Sequence, residues 1–405
     1  MMRKHFNRDF VYAAMTVAVT AVLFSSPRLN AQPQQGEDEY LQTNLVSNGY
    51  TPAKVTDPNL VNPWGMVEGP TSPTWTSNQT TNTASVYTID DVEKGMGALL
   101  TVNIPTEMGG PNGPTGIVFN TFNKSSTDFE IPSAMGMGMM VPSFYIFANL
   151  NGTISGWNPG SSGGLKNAVI AVDNHSAGAI YTGLALGMVG SKTYLYATNF
   201  TPMGGVEVYD TSFKPATGLQ WNSSDADNKL PELPRGRIWK PYNIANIGGM
   251  MYVAYAAMPA TGGLPIIHMN LGAIAVFTPQ GKFIKVLAKE GQLDAPWGMV
   301  MAPNHFGKFS NDLLVGNFGN GHILAYRMIP SKDAEDQGDH GRDTFAGLMR
   351  DSNHKIIEEG FLWTLMFGNG ANGSNPDTLY ITSGGHNQAK EGLFAAITPA
   401  KADRP

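Results

Sequence analysis

One short pattern recurs six times along the chain and constrains the fold more than any other feature. Pro63-Trp64-Gly65, Pro114-Thr115-Gly116, Tyr181-Thr182-Gly183, Pro241-Tyr242-Asn243, Pro296-Trp297-Gly298 and Leu362-Trp363-Thr364 each lead into a few apolar residues. The column Gly65, Gly116, Gly183, Asn243, Gly298 and Thr364 has intervals of 51, 67, 60, 55 and 66 residues. The unit persists while its loops vary, which is the mark of a repeat architecture. A second strand follows each trio, as in Ile146-Phe147-Ala148-Asn149 and Leu314-Val315-Gly316-Asn317. A third follows across a Gly- or Asn-rich turn, as in Ile154-Ser155-Gly156-Trp157 and Ile274-Ala275-Val276-Phe277. Short apolar or alternating runs bounded by turn formers read as β-strands.

Fourth strands are expected at 98–102, 168–172 and 283–287, and for the fifth unit at 355–358, after a polar insertion over 331–354. No segment after the sixth unit's third strand can supply its fourth. The unassigned strand is 41–46, and placing it beside the last unit closes a ring and removes an open sheet edge. The predicted fold is therefore all-β: a six-bladed β-propeller of four-stranded antiparallel blades, closed by the N-terminal strand. A single β-sandwich needs fewer strands, two would show a linker near mid-chain, and a parallel β-helix has a shorter period. Composition agrees. With 47 glycines and 27 prolines the chain is interrupted too often for long helices.

Residues 1–31 read as a secretory signal, with Arg3, Lys4 and Arg8 ahead of an apolar run from Val11 to Phe24. That run is shorter than the roughly 20 residues a membrane span needs. A polar linker is expected over 32–39, the propeller over 40–399 and a short tail over 400–405. The expected location is secreted or periplasmic, with no membrane span after cleavage. Export permits disulfides, yet there is no cysteine, so burial and backbone pairing must hold the fold. A net charge of −6 gives no basis for a nucleic-acid partner.

The aligned residues resemble known propellers. Pro-x-Gly-apolar, then apolar-x-x-Asn, then Gly-x-Ile is similar to NHL-repeat and gluconolactonase-like six-bladed propellers. The string Asp57-Pro58-Asn59-Leu60-Val61-Asn62-Pro63-Trp64-Gly65 resembles an uncharacterised family of exported bacterial propeller proteins. So do Gly113-Pro114-Thr115-Gly116-Ile117 and Leu314-Val315-Gly316-Asn317-Phe318-Gly319. That resemblance implies a fold and export and assigns no reaction. The lactonase likeness implies a divalent cation held in the channel by Glu, Asn and Asp. The present inner column has no acid, whereas a hard cation needs several oxygen ligands.

Candidate binding residues gather where loops lead into the inner strands: Asn62, Trp64, Asn199, Asn243, Trp297, Asn317 and Trp363, with Asn78 and Asn149 beside them. Aromatics and amides around a channel mouth could stack on and hydrogen-bond a neutral ligand such as a sugar. The plainer reading is conformational, because Asn ends strands and closes turns on its own account. His268, His322 and His386 fall on the same face and are the candidates for a metal, though no tight ligand spacing supports one. Asp57 and Asp294 are where any acid–base chemistry would start. Met135-Gly136-Met137-Gly138-Met139-Met140 offers soft thioethers that suit Cu(I), and the expected role is filler packed over blade two. The phosphate-loop, nucleophile-elbow and EF-hand patterns are absent.

Two functions follow as expectations. The first is a monomeric binding module for a small molecule, a glycan or a protein, without cofactor or catalysis. The alternative is a divalent-metal-dependent, lactonase-like hydrolase.

Overall fold

The computed structural model describes residues 39–400 apart from 108, 110, 122–126, 220, 329–344 and 389. The expected signal over 1–31 lies outside the described residues, as do the linker but for Glu39 and the tail but for Ala400.

Six antiparallel sheets follow one another along the chain. Blade one consists of Pro63–Val67, Thr74–Asn78, Thr83–Tyr87 and Leu100–Asn103, and blade two of Pro114–Phe119, Tyr145–Asn149, Thr153–Trp157 and Val169–Asp173. Blade three is Tyr181–Val189, Lys192–Asn199 and Val206–Tyr209. Blade four is Arg237–Ile247, Met250–Pro259, Gly272–Phe277 and Phe283–Lys289. Blade five is Pro296–Met301, Leu313–Asn317, Ile323–Tyr326 and Phe345–Leu348. Blade six, Leu362–Phe367, Leu379–Ser383 and Leu393–Pro399, takes its outer strand from Tyr40–Ser47. That strand pairs antiparallel from Tyr40↔Pro399 to Ser47↔Leu393, so the N-terminal strand closes the ring. The first strands of neighbouring blades touch all the way round. The protein is a six-bladed β-propeller.

Two details correct the expected strands. The fourth strand of blade five is Phe345–Leu348, paired with Ile323–Tyr326, inside the span read as a polar insertion. Residues 355–358 make only isolated bridges, Arg350↔Ile356 and His322↔Glu358. Lys-Ile-Ile-Glu looks like a strand, but it returns from a turn in which the Asp351 carboxylate accepts the Asn353 and Lys355 N–H groups. In blade three, Tyr209 bridges Pro215, and the described residues form no fourth strand.

Burial follows the blades. Six apolar clusters each fill one blade–blade interface, and every inner strand contributes a large side chain at one matching position to the cluster it shares with the preceding blade. These are Met66, Ile117, Leu184, Ile244, Met299 and Leu365. The repeating column lies one residue earlier and explains itself by proximity. A Cβ on Gly298 would run into the Trp363 carbonyl, and one on Gly183 into the Asn243 side chain. Only glycine lets inner strands approach this closely, and where blade four carries Asn243, blade three supplies the space with Gly183.

Candidate functional site

All six inner strands carry an irregularity at the same place. Register skips between Pro63 and Met66, Pro114 and Ile117, Tyr181 and Gly183, Pro241 and Asn243, Pro296 and Gly298, and Leu362 and Leu365. A bulge re-aims a side chain. Here it falls on the middle residue of each trio, and in four blades that residue is aromatic.

Trp64, Tyr242, Trp297 and Trp363 meet across the axis in one buried cluster with Phe200 and Phe318. Trp64 stacks on Trp363 with ring centroids 3.6 Å apart, and Trp297 stands edge-on to both, at 6.2 Å and 5.7 Å. Hydrogen bonds between blades gird this plug. Thr364 Oγ1 donates to the Trp64 carbonyl at 2.7 Å, Thr115 Oγ1 to the Tyr181 carbonyl at 2.8 Å, and Asn243 Nδ2 to the Trp297 carbonyl at 2.8 Å. Trp297 Nε1 reaches the Thr182 carbonyl of blade three at 3.0 Å.

The other predicted asparagines lie at the same end of the blades, Asn62 just before an inner strand and Asn78, Asn149, Asn199 and Asn317 at the ends of second strands. Asn62 Oδ1 accepts Trp363 Nε1 at 2.8 Å, while its Nδ2 donates to Gln79 Oε1 at 2.7 Å. Asn199 accepts the Ile180 N–H and donates to Glu207 Oε1. Asn317 accepts the Asp294 N–H and donates to the Gln292 carbonyl. Asn78 and Asn149 bond side chains of their own blades. Apart from Asn149 Oδ1, which is buried without a partner among the described residues, these amides are spent on intramolecular bonds. The structure brings together the three predicted tryptophans with Asn62 and Asn243 and leaves Asn199 and Asn317 in separate networks.

The acids and histidines are dispersed. Asp57 is buried and accepts the Tyr87 hydroxyl at 2.6 Å and Ser85 Oγ at 3.1 Å. Asp294 accepts the His268 N–H at 2.7 Å, and burial raises its pKa against that bond. His322 Nε2 lies 3.8 Å from Glu358, with its pKa lowered by burial. The His386 N–H donates to Glu391. Among the described residues no three His, Asp or Glu side chains converge to hold a metal ion. The inner column offers a hard cation no carboxylate and, beside Thr364, only the Asn243 amide oxygen, too few oxygen ligands for the lactonase-type cation.

Beyond the plug, toward the ends of the inner strands, the axis opens into a cavity of about 530 Å³. Each inner strand pairs with a single neighbour, so its free edge of N–H and C=O groups is turned to the axis. Trp297, Asn243 and Thr364 lie at the cavity's inner end, Val67, Val118 and Leu186 along its walls, and Glu68, Asn246 and Asn369 at its polar positions. Of the predicted binding residues, Asn243 and Trp297 line it. Glu68 is the one titratable group among the described lining residues. Its oxygens accept Thr74 Oγ1 at 2.6 Å, the Asn369 N–H at 2.9 Å and Ser374 Oγ at 3.0 Å. Burial raises its pKa, and those bonds oppose the rise. The sequence reading missed Glu68, Asn246 and Asn369, because they lie past the repeating trio, Asn246 near the end of the blade-four inner strand and Glu68 and Asn369 just beyond theirs.

Against known proteins, the chain matches uncharacterised proteins of Acanthamoeba polyphaga mimivirus. Protein R640 is 31% identical over 210 residues, covering 52% of this chain and 37% of its own length. Protein R648 is 28% identical over 284 residues, covering 70% of this chain and 65% of its own. The chain thus spans between about a third and two thirds of the length of these relatives. No family model matches. Solved structures with a similar course include a Bacteroides thetaiotaomicron protein of unknown function, with TM-score 0.48, 11% identity and coverage of 89% of this chain and 76% of that one. The PQQ-bound aldose sugar dehydrogenase of Streptomyces coelicolor has TM-score 0.45 and 13% identity, covering 89% and 99%. Among the described residues no helix is long and apolar enough to cross a membrane.

Proposed function

We propose that this propeller is a binding module that takes a neutral small molecule of sugar size into the axial cavity from the end opposite the plug. The observation that carries this reading is the cavity itself. Its volume of about 530 Å³ lies within the roughly 300–1,000 Å³ of ligand sites. Its walls combine apolar side chains with free strand edges, which can hydrogen-bond a hydroxyl or carbonyl at many positions. Glu68 is held by three donors, and among the described residues no second acid or base lines the space with it, so the described lining lacks the pair that acid–base hydrolysis uses. Export to a secreted or periplasmic location and a monomeric state belong to the same reading.

The test is a calorimetric screen of neutral glycans and lactones, repeated on Ala245→Trp. Ala245 is half-buried, lines the cavity and borders the cluster between blades four and five, so an indole there obstructs the space and the melting temperature reports any disturbance of that cluster. The expected result is binding by the wild type that Ala245→Trp abolishes while the melting temperature holds. Binding that survives Ala245→Trp would place the ligand elsewhere.

A further inference from the structure

Between the first and second strands of blade two, Glu130–Pro132 and Met140–Pro142 form a small hairpin. Its packing is done at the base, where Phe129 and Ile131 are buried in the cluster between blades two and three and Val141 packs against them. The methionines of the tip take no part in a core. Met135, Met137, Met139 and Met140 are 71%, 92%, 47% and 44% exposed. This corrects the expected filler role: the apolar demand at this site is met by Phe129 and Ile131, and the run projects beyond it.

The tip is nonetheless tied down. The Ser133 N–H donates to the Met139 carbonyl at 2.9 Å, Gly136 to Ser133 at 3.2 Å and Met139 to Gly136 at 3.0 Å. The Ala134 N–H anchors the loop to the Gly160 carbonyl at 2.9 Å. Gly136, Met137 and Gly138 are all left-handed, with φ of 67°, 53° and 73°. Holding a methionine in that region costs roughly 1–2 kcal/mol. Neither packing nor backbone preference accounts for a methionine at 137. What Met135, Met137 and Met139 share is a thioether on a flexible arm, carried by two successive tight turns. Residues 133–139 contain no carboxylate and no imidazole.

We propose that Met135, Met137 and Met139 form a thioether site for a soft monovalent cation, Cu(I). Thioethers favour Cu(I) over hard or borderline divalent ions. Three such donors within one looped segment can enclose an ion, because methionine side chains have three rotatable bonds each. The turns hold the three backbone positions close before metal arrives, which lowers the ordering cost of binding.

The test titrates the full chain with Ag(I), a redox-inert probe of the same softness, and with Cu(I) under anaerobic reducing conditions against a chromophoric chelator. Methionine methyl groups are followed by NMR in protein labelled at those carbons. The expected result is retention of one equivalent of either ion, none of Zn(II), and shifts confined to the resonances of Met135, Met137 and Met139. The triple variant Met135→Leu, Met137→Leu, Met139→Leu keeps an apolar tip without sulfur and should lose that equivalent with an unchanged melting temperature. The proposal is overturned if the wild type takes no Ag(I), if the variant retains it, or if the shifts fall on other methionines such as the exposed Met203.

Discussion

The two ends of the propeller axis are built on opposite principles. At the end where the inner strands begin, large aromatic side chains turn inward from four blades and fill the axis, with threonines and Asn243 bonding blade to blade around them. At the other end the same six strands present small or apolar residues and bare backbone, and the axis stays open over about 530 Å³. The residues that look most like a binding site, tryptophan and asparagine, are thus spent at the closed end. The open end is walled by apolar side chains and backbone, with Glu68, Asn246 and Asn369 as polar groups that no motif marks. A motif repeated in every blade answers a problem that every blade has, namely meeting its neighbours at the axis. A ligand site has to break that symmetry, so its polar groups lie outside the repeated trio.

The comparison breaks most visibly at the plug. Trp363 is fully buried, and its indole is the donor that satisfies Asn62 Oδ1. Trp363→Ala removes a large aromatic and should cost about 3–5 kcal/mol in urea denaturation. It should also let solvent reach the axis from the closed end, read as faster hydrogen exchange at Thr364 and Gly65. A loss below about 1 kcal/mol would mean that the plug is not what joins the blades there.

Next in size is the glycine column. Gly298→Ala places a Cβ against the Trp363 carbonyl and should destabilise by about 1–3 kcal/mol through overpacking. Gly97, with no atom near the place a Cβ would occupy and no left-handed φ, should accept Ala within about 0.5 kcal/mol. Equal effects at the two sites would refute the close-approach account.

Asn243 lies at the boundary between the two ends, lining the cavity while its amide holds blade four to blade five. Asn243→Ala leaves the buried Trp297 carbonyl without that donor and should cost about 1–3 kcal/mol. If the framework role dominates, the midpoint of urea unfolding falls while ligand affinity changes far less than in Ala245→Trp. The reverse pattern would make Asn243 chiefly a ligand contact.

Much of this architecture is legible in the sequence, for a physical reason. The trio Pro-Trp-Gly records three local demands: a strand start, a bulge that turns a bulky side chain to the axis, and a close approach only glycine permits. The residue before it is also marked, since Asn62, Gly113, Ala295 and Phe361 all have positive φ, at 48°, 101°, 45° and 50°. Ring closure by the N-terminal strand follows from counting strands. The outer strand of blade five is harder to see, because Phe345-Ala-Gly-Leu348 is less strand-like than Lys355-Ile-Ile-Glu358, and long-range pairing with Ile323–Tyr326 decides between them. Least legible is the cavity, whose polar groups Glu68, Asn246 and Asn369 are adjacent only through the fold. The tip methionines are conspicuous in sequence, yet their exposure is a property of the hairpin and cannot be read from composition.

The smallest effect tests the open end through Glu68. Burial raises its folded pKa above the ordinary value of 4.5, so the folded protein holds this proton more tightly than the unfolded chain. Stability then falls as pH rises through the interval between the two values. The contribution from Glu68 is therefore fullest below pH 4.5 and is lost as its folded pKa is passed. Glu68→Gln has no proton to bind. It keeps one acceptor oxygen, so it loses part of the bonding from Thr74, Asn369 and Ser374 at every pH. The sign of the difference between wild type and variant at neutral pH is thus set by two opposing effects, but its slope is not. Moving from neutral pH toward 4.5 should shift the difference in urea midpoints steadily in favour of the wild type. His322, whose lowered pKa works in the opposite direction on acidification, is present in both proteins and cancels. A difference independent of pH would mean that Glu68 is well solvated, and that the open end of the axis admits water as freely as the bulk.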